Sequence, residues 1–196
     1  MRADSFKRLF ANGKYKEGVL AQMFYVAAQI MCWTFIIQYA GNLGIPKSTA
    51  QNFNIVAMSI FLGSRFISTF MMKYINAKKL LMIFAIGAMV TTAGVILIEG
   101  MAGLYLLVAT SAFMSLMFPT IYGIALDGLS EEDSALGAAG LVMAIVGGAL
   151  MPILQGSMID MEKIGPFTES TFHLFYLLFA FALLLFTDTG AFKIYK

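Results

Sequence analysis

The chain is 196 residues long, 60% hydrophobic and only 12% charged, with a formal net charge of +2. Soluble domains carry about a quarter of their residues as charges, so this composition describes an integral membrane protein, and the small, scattered positive excess excludes a nucleic-acid surface. The single cysteine, Cys32, excludes an intrachain disulfide and any paired-cysteine redox or metal motif.

Residues 1–16 are basic and polar, with Arg2, Lys7, Arg8, Lys14 and Lys16. The apolar run that follows is too long for the core of a cleavable signal, so it is expected to stay in the protein as a first span at 17–41. Its sequence from Gly18 to Gly41, GVLAQMFYVAAQIMCWTFIIQYAG, holds three glutamines and two tyrosines. Hydrocarbon about 30 Å thick offers no water to such groups, which therefore need a partner or a wet cavity. At 100° per residue, Gln22, Tyr25, Gln29 and Trp33 share an arc of about 80° and form one stripe about 16 Å long. Two readings stand side by side. Amides beside an aromatic plane suit a neutral polyol, the amides bonding hydroxyls and the ring covering a C–H face. The same amides also serve as glue between helices, at about 0.6 kcal/mol each. Gln38 lies on the opposite side and reads as packing or rim, and Cys32 as a small apolar helix residue.

The second apolar run, 50–72, contains Arg65, the one arginine or lysine inside an expected span. A charge there costs a few kcal/mol unless its stem lets it snorkel, which points to a structural or gating role. Asn54 lies on nearly the same face and is a candidate for a cavity wall. A third run covers 80–99. The fourth, 103–126, contains FPTIYGIALDG, in which Pro119 removes a backbone hydrogen bond and is expected to kink the helix near mid-membrane. Tyr122 follows within a turn as a candidate cavity residue, and Asp127 reads as a solvated helix terminus. In the fifth run, 134–158, Gly137, Gly140, Ala144, Gly147 and Gly148 recur at spacings that give a smooth groove for close helix approach or sliding, and Pro152 adds a second break. The sixth run is 170–188, with Glu169 and His173 at its outer start, His173 being read as an interfacial residue. A short tail, 191–196, ends the chain.

The expected fold is an all-α integral membrane bundle of six transmembrane helices within 17–190. Continuous apolar runs exclude a β-barrel, whose strands alternate over about 10 residues. Ten lysines and arginines fall before helix 1, after helix 2 and in the tail, against Lys47 and Lys163 on the other side, so both termini are expected in the cytoplasm. An intramembrane serine protease would need a serine and a histidine within the bilayer, whereas His173 is near the surface and the GxS at Gly128–Ser130 lies in an acidic loop. The sequence shows no phosphate loop, haem pair or zinc-spaced cluster, and no filter loop of a channel. An enzyme is not expected; transport is.

The strings GVLAQMFYVAAQIMCWTFIIQYA, MFPTIYGIALDGL and LGAAGLVMAIVGGALMPILQG closely resemble the second half of L-fucose–proton symporters, the fucose and glucose/galactose permease branch of the major facilitator superfamily. The match runs from about Phe6 to Tyr195. The resemblance implies a twelve-helix sugar transporter of a bacterial inner membrane, built from two six-helix bundles with a neutral monosaccharide between them and access alternating by rocking. This chain would supply helices seven to twelve, with residues 1–16 the end of a cytoplasmic central loop. The proton is the implied coupling ion, and no other cofactor or metal is implied. The coupling acids of such symporters lie in the first half; here Glu17, Glu99, Asp127 and Asp188 fall only at helix ends. The chain is thus expected to be incomplete alone, working with an N-terminal six-helix half, and alternatively to homodimerise into a carrier or serve as an assembly partner.

Overall fold

A computed structural model of the chain describes residues 2–98 and 100–159. The expected sixth span at 170–188, the tail at 191–196, and Glu169 and His173 lie outside the described residues. Among those described, the chain is helical throughout: α1 (Arg2–Ala11), α2 (Gly13–Asn42), α3 (Lys47–Met71), α4 (Ala77–Leu97), α5 (Met101–Met114), α6 (Met117–Leu126), α7 (Glu131–Met143), a 3-10 turn (Ala144–Val146) and α8 (Gly147–Ile159). Five stretches of the described residues are long and apolar enough to cross a membrane: Gly13–Asn42, Lys47–Met71, Ala77–Val95, Met101–Leu126 and Glu131–Ile153.

The helix ends follow local chemistry. Asn12 interrupts the helical path between α1 and α2, and its side chain accepts the Tyr15 N–H at 3.3 Å as an N-cap. At the other end, Gly44 has a φ of +76°, its N–H bonds to the Gly41 carbonyl, and the Ile45 N–H reaches back to the Ala40 carbonyl. That is the Schellman arrangement, which only glycine adopts without strain. Pro46 then opens α3, and Asn76 caps α4 through the Lys78 N–H at 2.9 Å. Ser130 caps α7 by accepting the Asp133 N–H, and Glu131, Glu132 and Asp133 place negative charge on the positive end of its dipole.

The fourth span is a broken helix. Pro119, third residue of α6, lacks the N–H that would reach the Ser115 carbonyl, and its ring crowds that same carbonyl. The helical hydrogen bonding accordingly lapses at Ser115–Leu116, one turn before the proline, while the backbone there stays in the right-handed helical region. The fifth span is also in two pieces, joined by the 3-10 turn immediately before Gly147, while Pro152 sits inside α8.

Helix α2 is the axis of the bundle. It touches α1, α3, α5, α6, α7 and α8, and its buried residues include Gln22, Tyr25, Val26, Ala28, Gln29, Cys32, Ile36 and Ala40. By contrast α3 buries only Ala50, Ala57 and Ser68. Since lipid tails are as apolar as leucine, close fit rather than water exclusion holds such helices together, and small residues permit the fit. The glycines of the fifth span meet α2 in this way: Gly137 and Gly140 lie under the Tyr15 ring and hydroxyl, Gly147 against the Met23 backbone, and Gly148 against Val26 and Ile30. Tyr15 secures the contact by donating its hydroxyl to the Gly137 carbonyl at 3.0 Å. Gly18 similarly touches Ala125 of α6 with no space for a Cβ.

At the basic end of the bundle, ion pairs tie the elements together. Arg8 donates to Asp133 through Nη2 at 2.8 Å and Nε at 3.0 Å, and through Nη2 to the Ser5 hydroxyl at 2.9 Å. Two-pronged geometry fixes the orientation of such a pair and strengthens it relative to a single contact. Lys14 Nζ bonds both the Asp127 carboxylate at 3.0 Å and the Asp127 carbonyl at 2.9 Å. That hydrogen bond, with the Lys14 charge behind it, holds the exposed Asp127 carboxyl below its ordinary pKa. The contact is therefore present above the ordinary carboxylate range and is lost as pH falls through the depressed value.

Glycine packing makes a direct prediction. Gly147→Ala places a methyl against the Met23 backbone, which has no rotamer to move, and should destabilise the bundle by about 1–3 kcal/mol. Gly123→Ala, at an exposed position with nothing within 4 Å of the added methyl, should be neutral or slightly stabilising. Unfolding by sodium dodecyl sulfate in mixed micelles, followed by far-ultraviolet circular dichroism, distinguishes the two.

Candidate functional site

The stripe on α2 faces the interior of this bundle, against the broken fourth span and α3. Tyr25 is 1% exposed, and its hydroxyl donates to the Met114 carbonyl at 2.8 Å. Met114 is the last residue of α5, where helix carbonyls have lost their i+4 donors. Past the break, the Phe118 ring meets Tyr25 edge-on at 6.5 Å and stacks on Tyr122 at 6.4 Å. One tyrosine thus grips the break on both sides. Trp33 is half-buried, donates Nε1 to the Ser111 hydroxyl at 3.3 Å and packs edge-on against Phe61 of α3 at 5.1 Å.

The amides are placed differently. Gln22 is 0% exposed, and among the described residues neither its side-chain oxygen nor its nitrogen has a hydrogen-bond partner. A buried amide left unmatched costs about 1–3 kcal/mol, so Gln22 holds two donors and an acceptor in reserve inside the bundle. Gln29, one helical turn beyond Tyr25, is also buried. Gln38, expected outside the stripe, is exposed. On α3, Asn54 is half-buried, with its Oδ1 sealed off and unpartnered among the described residues. Cys32 is fully buried in the apolar core.

Arg65 is exposed, and among the described residues it forms no ion pair. With Leu62, Phe66, Thr69, Phe70 and Lys73 it lines an open cavity of about 620 Å³ along α3. Its own backbone carbonyl is occupied, accepting the hydroxyls of Ser68 at 3.1 Å and Thr69 at 2.7 Å.

The structure therefore brings Tyr25, Trp33 and Tyr122 together around the fourth-span break, sets Gln22 and Gln29 on the same buried face, and keeps Asn54 and Arg65 on the adjoining helix. Pro119 lies in the first turn of α6, just past that break, whereas Gly147, Gly148 and Pro152 belong to the helix behind α2. Sequence reasoning missed Ser111, Phe118 and Phe61, the residues that hold the stripe. Ser111 had a visible signal, a hydroxyl deep in an apolar span; the two phenylalanines had none among the chain's 18. Chemically, the cluster offers amides, a phenol, an indole and one nearby cation, a set that recognises hydroxyls rather than a fixed charge. Among the described residues no group of histidine, cysteine and carboxylate side chains could hold a metal ion.

No family model matches the chain. It is 58% identical over 96% of its length to the L-fucose-proton symporter of Haemophilus influenzae, covering 44% of that protein. The L-fucose-proton symporter of Escherichia coli is 32% identical over 80% of the chain, and the glucose/galactose transporter of Brucella abortus 30% over 73%. The chain spans less than half the length of these relatives, 36% and 35% of the latter two. Among solved structures, that of the major facilitator superfamily transporter FucP in the outward conformation superposes with a TM-score of 0.83 at 29% identity, over 94% of this chain and 44% of that one. The all-helical fold, the apolar spans and the extent of these matches agree: the chain belongs to the fucose permease family of the major facilitator superfamily.

Proposed function

We propose that the chain is the C-terminal six-helix half of a secondary sugar transporter that moves L-fucose, or a related hexose, together with a proton by alternating access. The 58% identity to a protein named as an L-fucose-proton symporter, over 96% of this chain but 44% of that one, carries the reading. An N-terminal six-helix half supplies the other wall of the sugar site and the carboxylates that take the proton. The acids of the described residues support that division, since Glu17, Asp127 and Glu131 to Asp133 all stand at span ends. The bundle sits in a bacterial inner membrane with its basic end, the site of Arg8, Lys14, Lys73, Lys78 and Lys79, in the cytoplasm. A homodimeric carrier has no observation in its favour.

Gln22, Gln29, Asn54 and Tyr122 contribute hydrogen bonds to sugar hydroxyls, Trp33 covers an apolar ring face, and Arg65 acts in gating. Gln22 is the clearest of these, because its amide is already desolvated and is matched by none of the described residues. A bound hydroxyl that satisfies it gains what the empty site lacks. Tyr25 belongs to the same wall but spends its proton on Met114, so it shapes the site more than it bonds the sugar.

The chain reconstituted in liposomes with the N-terminal half of the H. influenzae relative should take up L-fucose when an inward proton gradient is applied, and the chain alone should not. Uptake by the chain alone would refute the half-carrier reading. In the assembled carrier, Gln29→Ala should weaken sugar binding about tenfold, the worth of one or two buried hydrogen bonds. Tyr25→Phe should leave affinity within about twofold while lowering stability by about 1 kcal/mol. Arg65→Ala should abolish net uptake with binding retained; loss of membrane insertion instead would mark Arg65 as structural. Isothermal calorimetry and uptake assays on the same preparations separate these outcomes.

A further inference from the structure

Helix α1 carries a surface that the other described residues leave exposed. Its inner side, Ser5 and Leu9, is buried, Leu9 packing in the cluster with Tyr15, Ala125 and Leu141, while Arg8 locks to Asp133. Phe6 and Phe10, one turn apart, are 48% and 66% exposed. At 100° per residue these two rings stand about 100° around the helix from the Ser5–Leu9 side, and Lys7 about 80° beyond them. The helix thus has three sectors in order: one against protein, one aromatic, one basic.

Its height relative to the membrane is set from two sides. Only Asn12 separates α1 from α2, the first spanning helix, and Asp133 belongs to the first turn of the helix that starts the fifth span. Both anchors lie where apolar spans give way to charged residues, which is the level of lipid phosphates and glycerol groups. A helix fixed there cannot turn its aromatic side into bulk water without also lifting Arg8 from Asp133. We propose that α1 is an interfacial anchor that seats Phe6 and Phe10 at the boundary between headgroups and acyl chains, with Lys7 directed to the phosphates of acidic phospholipid. Aromatic rings and a neighbouring cation on one short helix are the composition that such a boundary favours. The opposing face, tied to α7, converts lipid attachment into a fixed position for the basic end of the bundle.

Phe6→Trp and Phe10→Trp, each in a Trp33→Phe background of the full chain, test the seat in phosphatidylethanolamine–phosphatidylglycerol vesicles. Emission should be blue-shifted and resist acrylamide. Lipids brominated near the headgroup end of the acyl chain should quench it at least about twofold more than those brominated near the chain terminus. Emission at a water-like wavelength with strong acrylamide quenching would overturn the proposal, as would resistance to acrylamide and to both brominated lipids, which would mean a protein cover. Exchanging phosphatidylglycerol for phosphatidylcholine should reduce the bromine quenching, and Lys7→Gln should remove that dependence on lipid charge. Quenching indifferent to headgroup charge in the parent chain would overturn the role given to Lys7. Circular dichroism of each variant verifies that the helices are formed, and Lys7→Gln, at an exposed position, leaves the buried packing intact.

Discussion

The hydrogen bond from the Tyr25 hydroxyl to the Met114 carbonyl is the contact on which the middle of the bundle depends. Inside a bilayer a broken helix exposes carbonyls that neither water nor lipid will satisfy. Pro119 forces such a break, and helix α2 is the element close enough to answer it. Once the phenol is committed there, the rotation of α2 about its own axis is fixed. Val26 and Ile30 then face the glycines of α8, and the indole of Trp33 lies within reach of Ser111. The buried position of Gln22 and Gln29 follows from the same rotation, since they share the tyrosine's face.

That rotation was only half legible in the sequence. Periodicity groups Gln22, Tyr25, Gln29 and Trp33 on one side of a helix because the α-helical repeat is fixed, but it says nothing about what lies opposite. A helix surrounded on nearly all sides has no apolar face to reveal its orientation, and α2 is enclosed by helices drawn from across the described chain. The five described spans were legible because bilayer thickness imposes a length, and the break in the fourth span because a proline acts on the carbonyl four residues before it. The pairing of Arg8 with Asp133 was not, since it joins residues 125 apart and depends on the whole order of helices. Residues 1–16 read as basic and polar, and charge alone hid the short helix whose Leu9 is buried.

The two polar features left unmatched have a common physical meaning. Among the described residues, Gln22 and Asn54 keep sealed atoms without partners, whereas several buried hydroxyls are closed onto backbone, as with Thr92 to Ala88 at 2.6 Å and Thr120 to Leu116 at 2.8 Å. Serine and threonine can always return a bond to their own helix at i−4, whereas the longer amides of glutamine and the short arm of asparagine point away from it. Amides are therefore the side chains that a membrane helix can hold in readiness for something else, at a cost in stability that only a ligand, water or another protein surface offsets.

Helix α2 is joined to the fourth span at three heights: by Lys14 with Asp127 and Gly18 with Ala125 at the basic end, by Tyr25 with Met114 in the middle, and by Tyr39 with the Gly100 carbonyl at 3.4 Å at the far end. Two helices tied in this way move as one body, because sliding or rotating either would break bonds that hydrocarbon cannot replace. Helix α3 is covered differently: it buries only three of its 25 residues, and Gln51, Asn52, Ser59 and Arg65 are exposed on it beside Ile55, Leu62, Phe66 and Ile67. With so few side chains buried, α3 takes its place from close contacts with α2 and α5, such as Phe61 on Trp33 at 5.1 Å and Phe53 on Tyr105 at 6.1 Å, and not from enclosure.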